Sequence, residues 1–457
     1  TATCEFTRYD DEHITSAGEE VFLNAEGGSI ALFSTTRLVY AGLNYQLNRA
    51  FYDYVFRTDP DGKPYKMGDI VRFTKNNAGF DDNKRNFSLI GDPALTLPLG
   101  EQAVHADSVI SQNQPVDTLK AMEQIRLYGQ VQKKDGTLDQ GYNGTVYIRV
   151  KGKAQNVSTR NNDGDSPFTY KVRSSNLFKG SATIENGTFK ADFVIPKDLA
   201  PDYGSGKMNF IASDHQTLSQ GAKTDFVVGG TSDHVLNDSQ GPDMNLFLND
   251  ESFVSGGITD ENPVLIGRLS DSSGVNISGT GIGHDLTATL DEDPSNKIVL
   301  NDFYQAGKDT YQKGKVEYQF TGLEKGLHTL ELEAWDVNNN ASTSTLEFRV
   351  SESAELQLDH VLNYPNPFTE QTHFYFEHNR PNESLDIFIQ IFTVSGELVK
   401  SIHQESFSPG YRVGPIPWDG RDDFGDKIGK GVYLYRLKVR SEKGHSAEEI
   451  EKLVILK

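Results

Sequence analysis

The sequence changes its periodicity once, near residue 115, and that change limits the folds open to the chain. Before it, helical and extended patterns alternate. After it, helical spacing disappears and short alternating runs follow one another, broken by Gly, Asn and Asp. A chain written this way cannot form one continuous α/β sheet; it must join a small α/β layer to a series of antiparallel modules.

In the first stretch, Ser16 stands where a helix N-cap is expected, with Glu19 and Glu20 in the first turn of a helical run Val21–Ala25 and Gly27-Gly28 ending it. Ser29–Ser34 is nearly continuous in apolar residues, the pattern of a strand buried on both faces of a parallel sheet. Leu47, Ala50, Phe51, Tyr54 and Val55 recur at three- and four-residue spacing, which predicts an amphipathic helix over 44–56. Met67–Lys75 reads as a further helix and Phe87–Ile90 as a further strand. So few strands make only half of a doubly covered domain.

Beyond residue 115, Ile125–Gln132, Gly144–Lys151, Gly187–Ile195 and Lys207–Ser213 read as strands of one sandwich. A second set runs from Met244–Leu248 to Thr343–Val350, and Gly326–Asp336 followed by Asn338-Asn339-Asn340 has the look of a late immunoglobulin-like hairpin. A third β-module carries Tyr364-Pro365-Asn366-Pro367-Phe368, Trp418-Asp419-Gly420 and Gly431–Leu437, with Trp418 expected to plug its core. The division expected is therefore 1–98 (half of an α/β domain), 99–114 (linker), 115–229 and 230–353 (two immunoglobulin-like β-sandwiches) and 354–457 (a terminal β-sandwich).

The net charge of −21 makes a nucleic-acid backbone a poor partner. No stretch approaches the roughly 18 uncharged apolar residues of a membrane-spanning helix. The single cysteine, Cys4, excludes an intramolecular disulfide and any cysteine-cluster metal site. Phosphate-loop, dinucleotide and His-Glu-x-x-His motifs do not occur.

Cys4 is the first candidate for chemistry, because α/β sheets place their sites at the C-terminal ends of strands. It would need a base to form thiolate, and spacing supplies none: His13 reads as loop decoration and the other histidines lie in β-rich sequence. The competing reading is a small buried filler. Glu5, beside Cys4, and Ser34, Thr35, Thr36 and Arg37, at the end of the next strand, would line the same rim and could contact a peptide; the alternative is a polar turn. Asp291-Glu292-Asp293 and Asp81-Asp82 resemble calcium-binding loops but lack the spacing of a closed site, and solvated acidic turns explain them better. No cofactor is called for. The opening Thr1-Ala2-Thr3-Cys4 reads as the end of a strand, which suggests the C-terminal portion of a longer precursor.

Two groups of residues carry a family resemblance. Thr1–Phe6, Ser16–Glu19, Gly28–Arg37, Asn48–Phe51 and Gly91–Leu95 resemble the second half of a gingipain-type cysteine peptidase domain, a caspase-like α/β fold. Tyr364–Phe368, Trp418–Arg421 and Gly431–Tyr435 resemble the C-terminal signal domain of type IX secretion substrates in Bacteroidetes. The combination is similar to the sortase of that system. The resemblance implies that Cys4 is the nucleophile and that the catalytic histidine lies upstream of residue 1. It implies removal of cargo signal domains through a thioester, resolved by an amine of anionic lipopolysaccharide or by water. It also implies a retained terminal domain docked on an outer-membrane β-barrel, PorV, and hence a peripheral location at the cell surface. Two other readings stand beside it: an exported cargo or adhesin whose terminal domain is removed, and a non-catalytic scaffold.

Overall fold

The computed structural model describes every residue except 1–3, 25–26, 80–81, 101, 163, 165, 234–237, 352–355, 382, 443 and 457. The chain forms two compact units: residues 1–103 with 133–136 and 213–220, and the remainder. Among the described residues, no helix is long and apolar enough to cross a membrane.

Among the described residues, the three α-helices all lie in the first unit. Helix α1 (Ala17–Leu23) starts at Ser16, whose N–H and hydroxyl both donate to the Glu19 carboxylate, at 2.9 and 2.6 Å. This fixes the first turn, where orphan amides would otherwise be left. Ala25, expected in this helix, lies outside the described residues. Helix α2 (Ala41–Val55) buries Leu47 and Ala50 against Val39 and Phe87, as the three- and four-residue spacing predicts. Helix α3 (Met67–Asn77) buries Met67 and Ile70 against Val55.

One expectation is corrected here. Strands β1 (Leu32–Thr35) and β2 (Phe87–Ile90) pair antiparallel, Leu32 opposite Ile90 and Thr35 opposite Phe87, rather than lying in a parallel sheet. An apolar run records that both faces are covered, not the direction of the neighbouring strand. The caspase-like half-domain is not identified by this two-stranded pair alone.

The second unit is nearly all β. Strands 207–213, 144–151, 176–185, 188–194, 124–132 and 102–111 lie side by side in that order. The stretch 99–114, read as a linker, therefore contains the strand Gln102–Ser111. Val104, Ala106 and Val109 supply its buried side, a short alternation masked by the polar residues between them. A second pair of sheets follows, one built from 243–248, 264–270, 313–319 and 304–306, the other centred on the hairpin Gly326–Trp335 and Ala341–Val350. A single apolar core runs through both modules.

The terminal module has its own core of Phe368, Phe374, Trp418, Tyr435 and neighbours, between a three-stranded and a four-stranded sheet. Trp418 plugs it as expected: the ring is 3% exposed, sits 5.6 Å from Phe368, and its indole N–H donates to the Arg421 carbonyl at 2.9 Å. Asn366 ties the proline-rich entry to the last strand, donating to the Lys452 carbonyl and accepting from the Val454 N–H.

Candidate functional site

The site is assembled around the segment 4–7, which is held on two sides. Along one side, the Thr7 N–H donates to the Thr35 carbonyl at 2.9 Å, the Phe6 N–H to Thr35 Oγ1 at 3.3 Å, and the Glu5 N–H to the Arg37 carbonyl at 3.4 Å. On the other side, the start of α1 closes in, with the Gly18 N–H donating to the Phe6 carbonyl at 2.7 Å. The approach is so close that a Cβ on Gly18 would meet Thr7 Oγ1 at 2.1 Å and the Phe6 carbonyl oxygen at 2.8 Å. Only glycine fits there. The capping residues of α1 therefore also fix the backbone that presents Cys4.

Cys4 is exposed, and its thiol donates to the Val39 carbonyl at 3.3 Å. The reading of Cys4 as a buried filler fails on this exposure. Glu5, the next residue, has φ +50°, a left-handed conformation uncommon for a residue with a side chain. The backbone turns sharply at this point and leaves the sulfur on the outside. The strand expected to end at Cys4 falls on residues 1–3, outside the described residues.

The remaining predicted rim residues divide. Ser34 and Thr35 are fully buried, which corrects their assignment as substrate contacts: their polar side chains face the interior of the unit, and Thr35 Oγ1 serves the Phe6 amide. Thr36 donates through Oγ1 to the Asn86 carbonyl at 3.2 Å, a link between the ends of β1 and β2. Arg37 is half-exposed and forms a two-pronged ion pair with Asp10, Nη1 to Oδ1 at 2.8 Å and Nη2 to Oδ2. Glu5 lies 3.7 Å from Arg8. The Arg37 pairing draws Asp10 down to about 2, chiefly through its hydrogen bond.

The loop that follows β1 carries exposed apolar groups on either side of Val39: Leu38 is 71% exposed and Tyr40 78%. Sequence reasoning missed both, although Arg37-Leu38-Val39-Tyr40 combines apolar residues with the start of a polar helix face. Their signal is the contrast between apolar character and exposure, which only coordinates reveal. His13 is exposed and lies 3.5 Å from Glu12, consistent with loop decoration. Within segment 4–40 an exposed thiol, a polar rim and a tight backbone clamp come together, and the described part of that segment provides no histidine facing the sulfur.

The acidic loops behave as turns. Asp291 accepts from His328 Nδ1 and the Thr329 N–H, and Asp293 accepts from the Ser295 N–H and hydroxyl, so these carboxylates close their own loops. Asp81 lies outside the described residues. A different acidic group forms in the second module: carboxylate oxygens of Asp238, Asp271 and Asp336 lie within 4.8 Å of one another. Burial pushes Asp271 and Asp336 upward, while Asp238, bonded to the Ser272 hydroxyl, is drawn down. Three residues from separate segments leave no spacing signal in a sequence.

Comparison with the curated proteins finds no match. Among solved structures, the chain is similar to dimeric latent PorU from Porphyromonas gingivalis, at 28% identity and a TM-score of 0.36, covering 94% of this chain and 41% of that one. It thus spans about two fifths of the length of that protein. Lesser similarities include fibronectin(III)-like modules of Clostridium thermocellum CbhA, at 9% identity and a TM-score of 0.19 over 46% of this chain and 93% of that one. Another is the Bacteroides ovatus glucan-locus protein SGBP-B, at 12% identity and a TM-score of 0.23 over 77% of this chain and 70% of that one. At the level of family, residues 1–98, the stretch that presents Cys4, match Peptidase family C25, the gingipain family of cysteine peptidases.

Proposed function

We propose that this chain carries the nucleophile of a cysteine endopeptidase that acts as a type IX sortase, removing C-terminal signal domains from exported cargo. The observation that carries the reading is the exposed Cys4 thiol, held at a backbone turn inside the stretch that matches family C25.

In this reading the Cys4 thiolate attacks the scissile carbonyl. The tetrahedral oxyanion is met by the Cys4 N–H. The signal domain leaves as the new amine, and a thioester remains on Cys4. An amine of anionic lipopolysaccharide, or water, then attacks the thioester carbonyl and releases the thiol. The base that takes the Cys4 proton is a histidine from polypeptide preceding residue 1. Glu5 and the rim 36–37 bound the position of the substrate chain, with Arg37 oriented by Asp10. No cofactor takes part. The terminal module, 354–457, is retained and docks on the outer-membrane barrel PorV, which keeps the enzyme peripheral at the cell surface.

The test is Cys4→Ala in the intact protein, scored for cargo at the outer membrane. Accumulation of uncleaved cargo supports the reading, and normal maturation refutes it. The mass of the mature C-terminus separates this reading from that of an exported cargo or adhesin. Retention through Lys457 agrees with a sortase, whereas loss of the region after residue 354 agrees with cargo.

A further inference from the structure

The second β-module carries a cationic groove that belongs to no part of the site described above. Its floor is the outer face of the sheet built from 243–248, 264–270, 313–319 and 304–306. Strand register aligns four polar side chains across that face: Asn245 opposite Arg268, Arg268 opposite Lys315, and Lys315 opposite Gln305. One step along, Lys313 lies opposite Ser270. Ser181 of the first module and Lys308, which bridge to one another, form a wall. The groove has a volume of about 530 Å³.

Its composition is unusual for this protein. In a chain of net charge −21, the lining holds Arg268, Lys308, Lys313 and Lys315 against a single carboxylate, Glu317. Like charges directly opposite each other in a sheet are unfavourable, and Arg268 and Lys315 are so placed. Glu251 and Glu317 neutralise these two. Lys308 and Lys313 are exposed, and among the described residues neither makes an ion pair. At the end of the row stands Phe303, 47% exposed and braced edge-on by Tyr318 at 5.0 Å.

Ammonium and guanidinium groups, two amides and a half-exposed aromatic face make a distinct combination. The cations answer anionic substituents, the amides of Asn245 and Gln305 answer hydroxyls, and the Phe303 face offers an apolar platform for a ring. We propose that this groove binds a short anionic oligosaccharide, one bearing sulfate, phosphate or carboxylate groups. A long, uniformly charged polymer such as nucleic acid suits it less well, because Asp243, Asp302 and Asp309 flank the cationic row in sequence and the molecule as a whole repels a polyanion. The volume falls within the range of small-ligand sites. The inference is independent of the peptidase reading, since it uses no residue of the first unit.

The test titrates the full chain with a sulfated hexasaccharide, with neutral maltohexaose and with a thymidine oligonucleotide of equal charge. The inference predicts saturable binding of the sulfated sugar that weakens as salt rises, and little binding of the other two. Lys308→Ala with Lys313→Ala, both at exposed positions, is expected to weaken the sulfated sugar by about tenfold or more. Phe303→Ala is expected to lower sugar affinity while leaving the salt dependence in place. Unchanged melting temperatures confirm that the variants fold. Absence of binding, binding indifferent to the lysine pair, or equal affinity for the oligonucleotide would each overturn the inference.

Discussion

The thiol of Cys4 lies 3.3 Å from the carbonyl oxygen of Val39, so the start of the chain and the loop leaving the first strand meet at one exposed point. Sulfur donates in this contact, and a thiolate could not. In the proposed reaction the attacking sulfur therefore gives up the Val39 carbonyl through a small rotation of the side chain.

Gly18 is the residue on which this presentation depends. A methyl group there would sit 2.1 Å from Thr7 Oγ1 and 2.8 Å from the Phe6 carbonyl oxygen, and the second neighbour is main chain that cannot rotate away. Gly18→Ala is expected to cost about 1–3 kcal/mol, the usual range for overpacking. It should also shift the segment 4–7 away from β1. Thermal unfolding measures the first effect, and the alkylation rate of Cys4 measures the second.

The Asp10–Arg37 pair makes a prediction about titration. The Arg37 hydrogen bond holds Asp10 at about 2, below its ordinary 3.8. A depressed folded-state value favours the folded form above pH 3.8, and that contribution disappears as pH falls through about 2. The pair is exposed, so its effect on stability is small. Carboxyl NMR should follow Asp10 titrating near the lower value, and Arg37→Ala should return it to the ordinary range.

His378 contributes a sensitivity to acid in the terminal module. Burial lowers it from 6.5 to about 4, partly opposed by Glu383. Its Nδ1 accepts from the Arg380 N–H at 3.1 Å, which leaves Nε2 to donate to Ser408 Oγ at 2.9 Å and fixes the neutral tautomer. The unfolded chain binds the extra proton, so stability is complete above pH 6.5 and declines as pH drops towards about 4. At about 1.4 kcal/mol per unit the loss is on the order of 3 kcal/mol. Denaturant unfolding of the terminal module at pH 7 and pH 5 should show this decline, and His378→Gln should flatten it.

The sequence made some of this architecture legible and hid the rest for identifiable reasons. Helix α2 was readable because Leu47, Ala50 and Val55 follow the helical repeat, Leu47 and Ala50 entering one small core and Val55 the next. Trp418 was readable because a large aromatic beside Asp419-Gly420 needs a core and a turn. Ser34 and Thr35 misled, since polar residues at a strand end resemble a rim, yet here they point inward. The direction of β1 relative to β2 is a long-range property that an apolar run does not encode. The row Asn245–Arg268–Lys315–Gln305 was invisible because register, rather than spacing, brings its members together. At the candidate site, position alone singled out Cys4 for consideration, whereas Leu38 and Tyr40 needed their exposure to be known.

The central claim is that a covalent intermediate forms on Cys4. It is tested most directly by incubating the intact protein with a cargo protein, quenching in acid, and mapping the Cys4 peptide by mass spectrometry. The account predicts a cargo-derived acyl group on the Cys4 sulfur that is removed by hydroxylamine and is absent from Cys4→Ala. Cleavage of cargo at an undiminished rate by Cys4→Ala, with no acyl group on Cys4 in the unaltered protein, would contradict it.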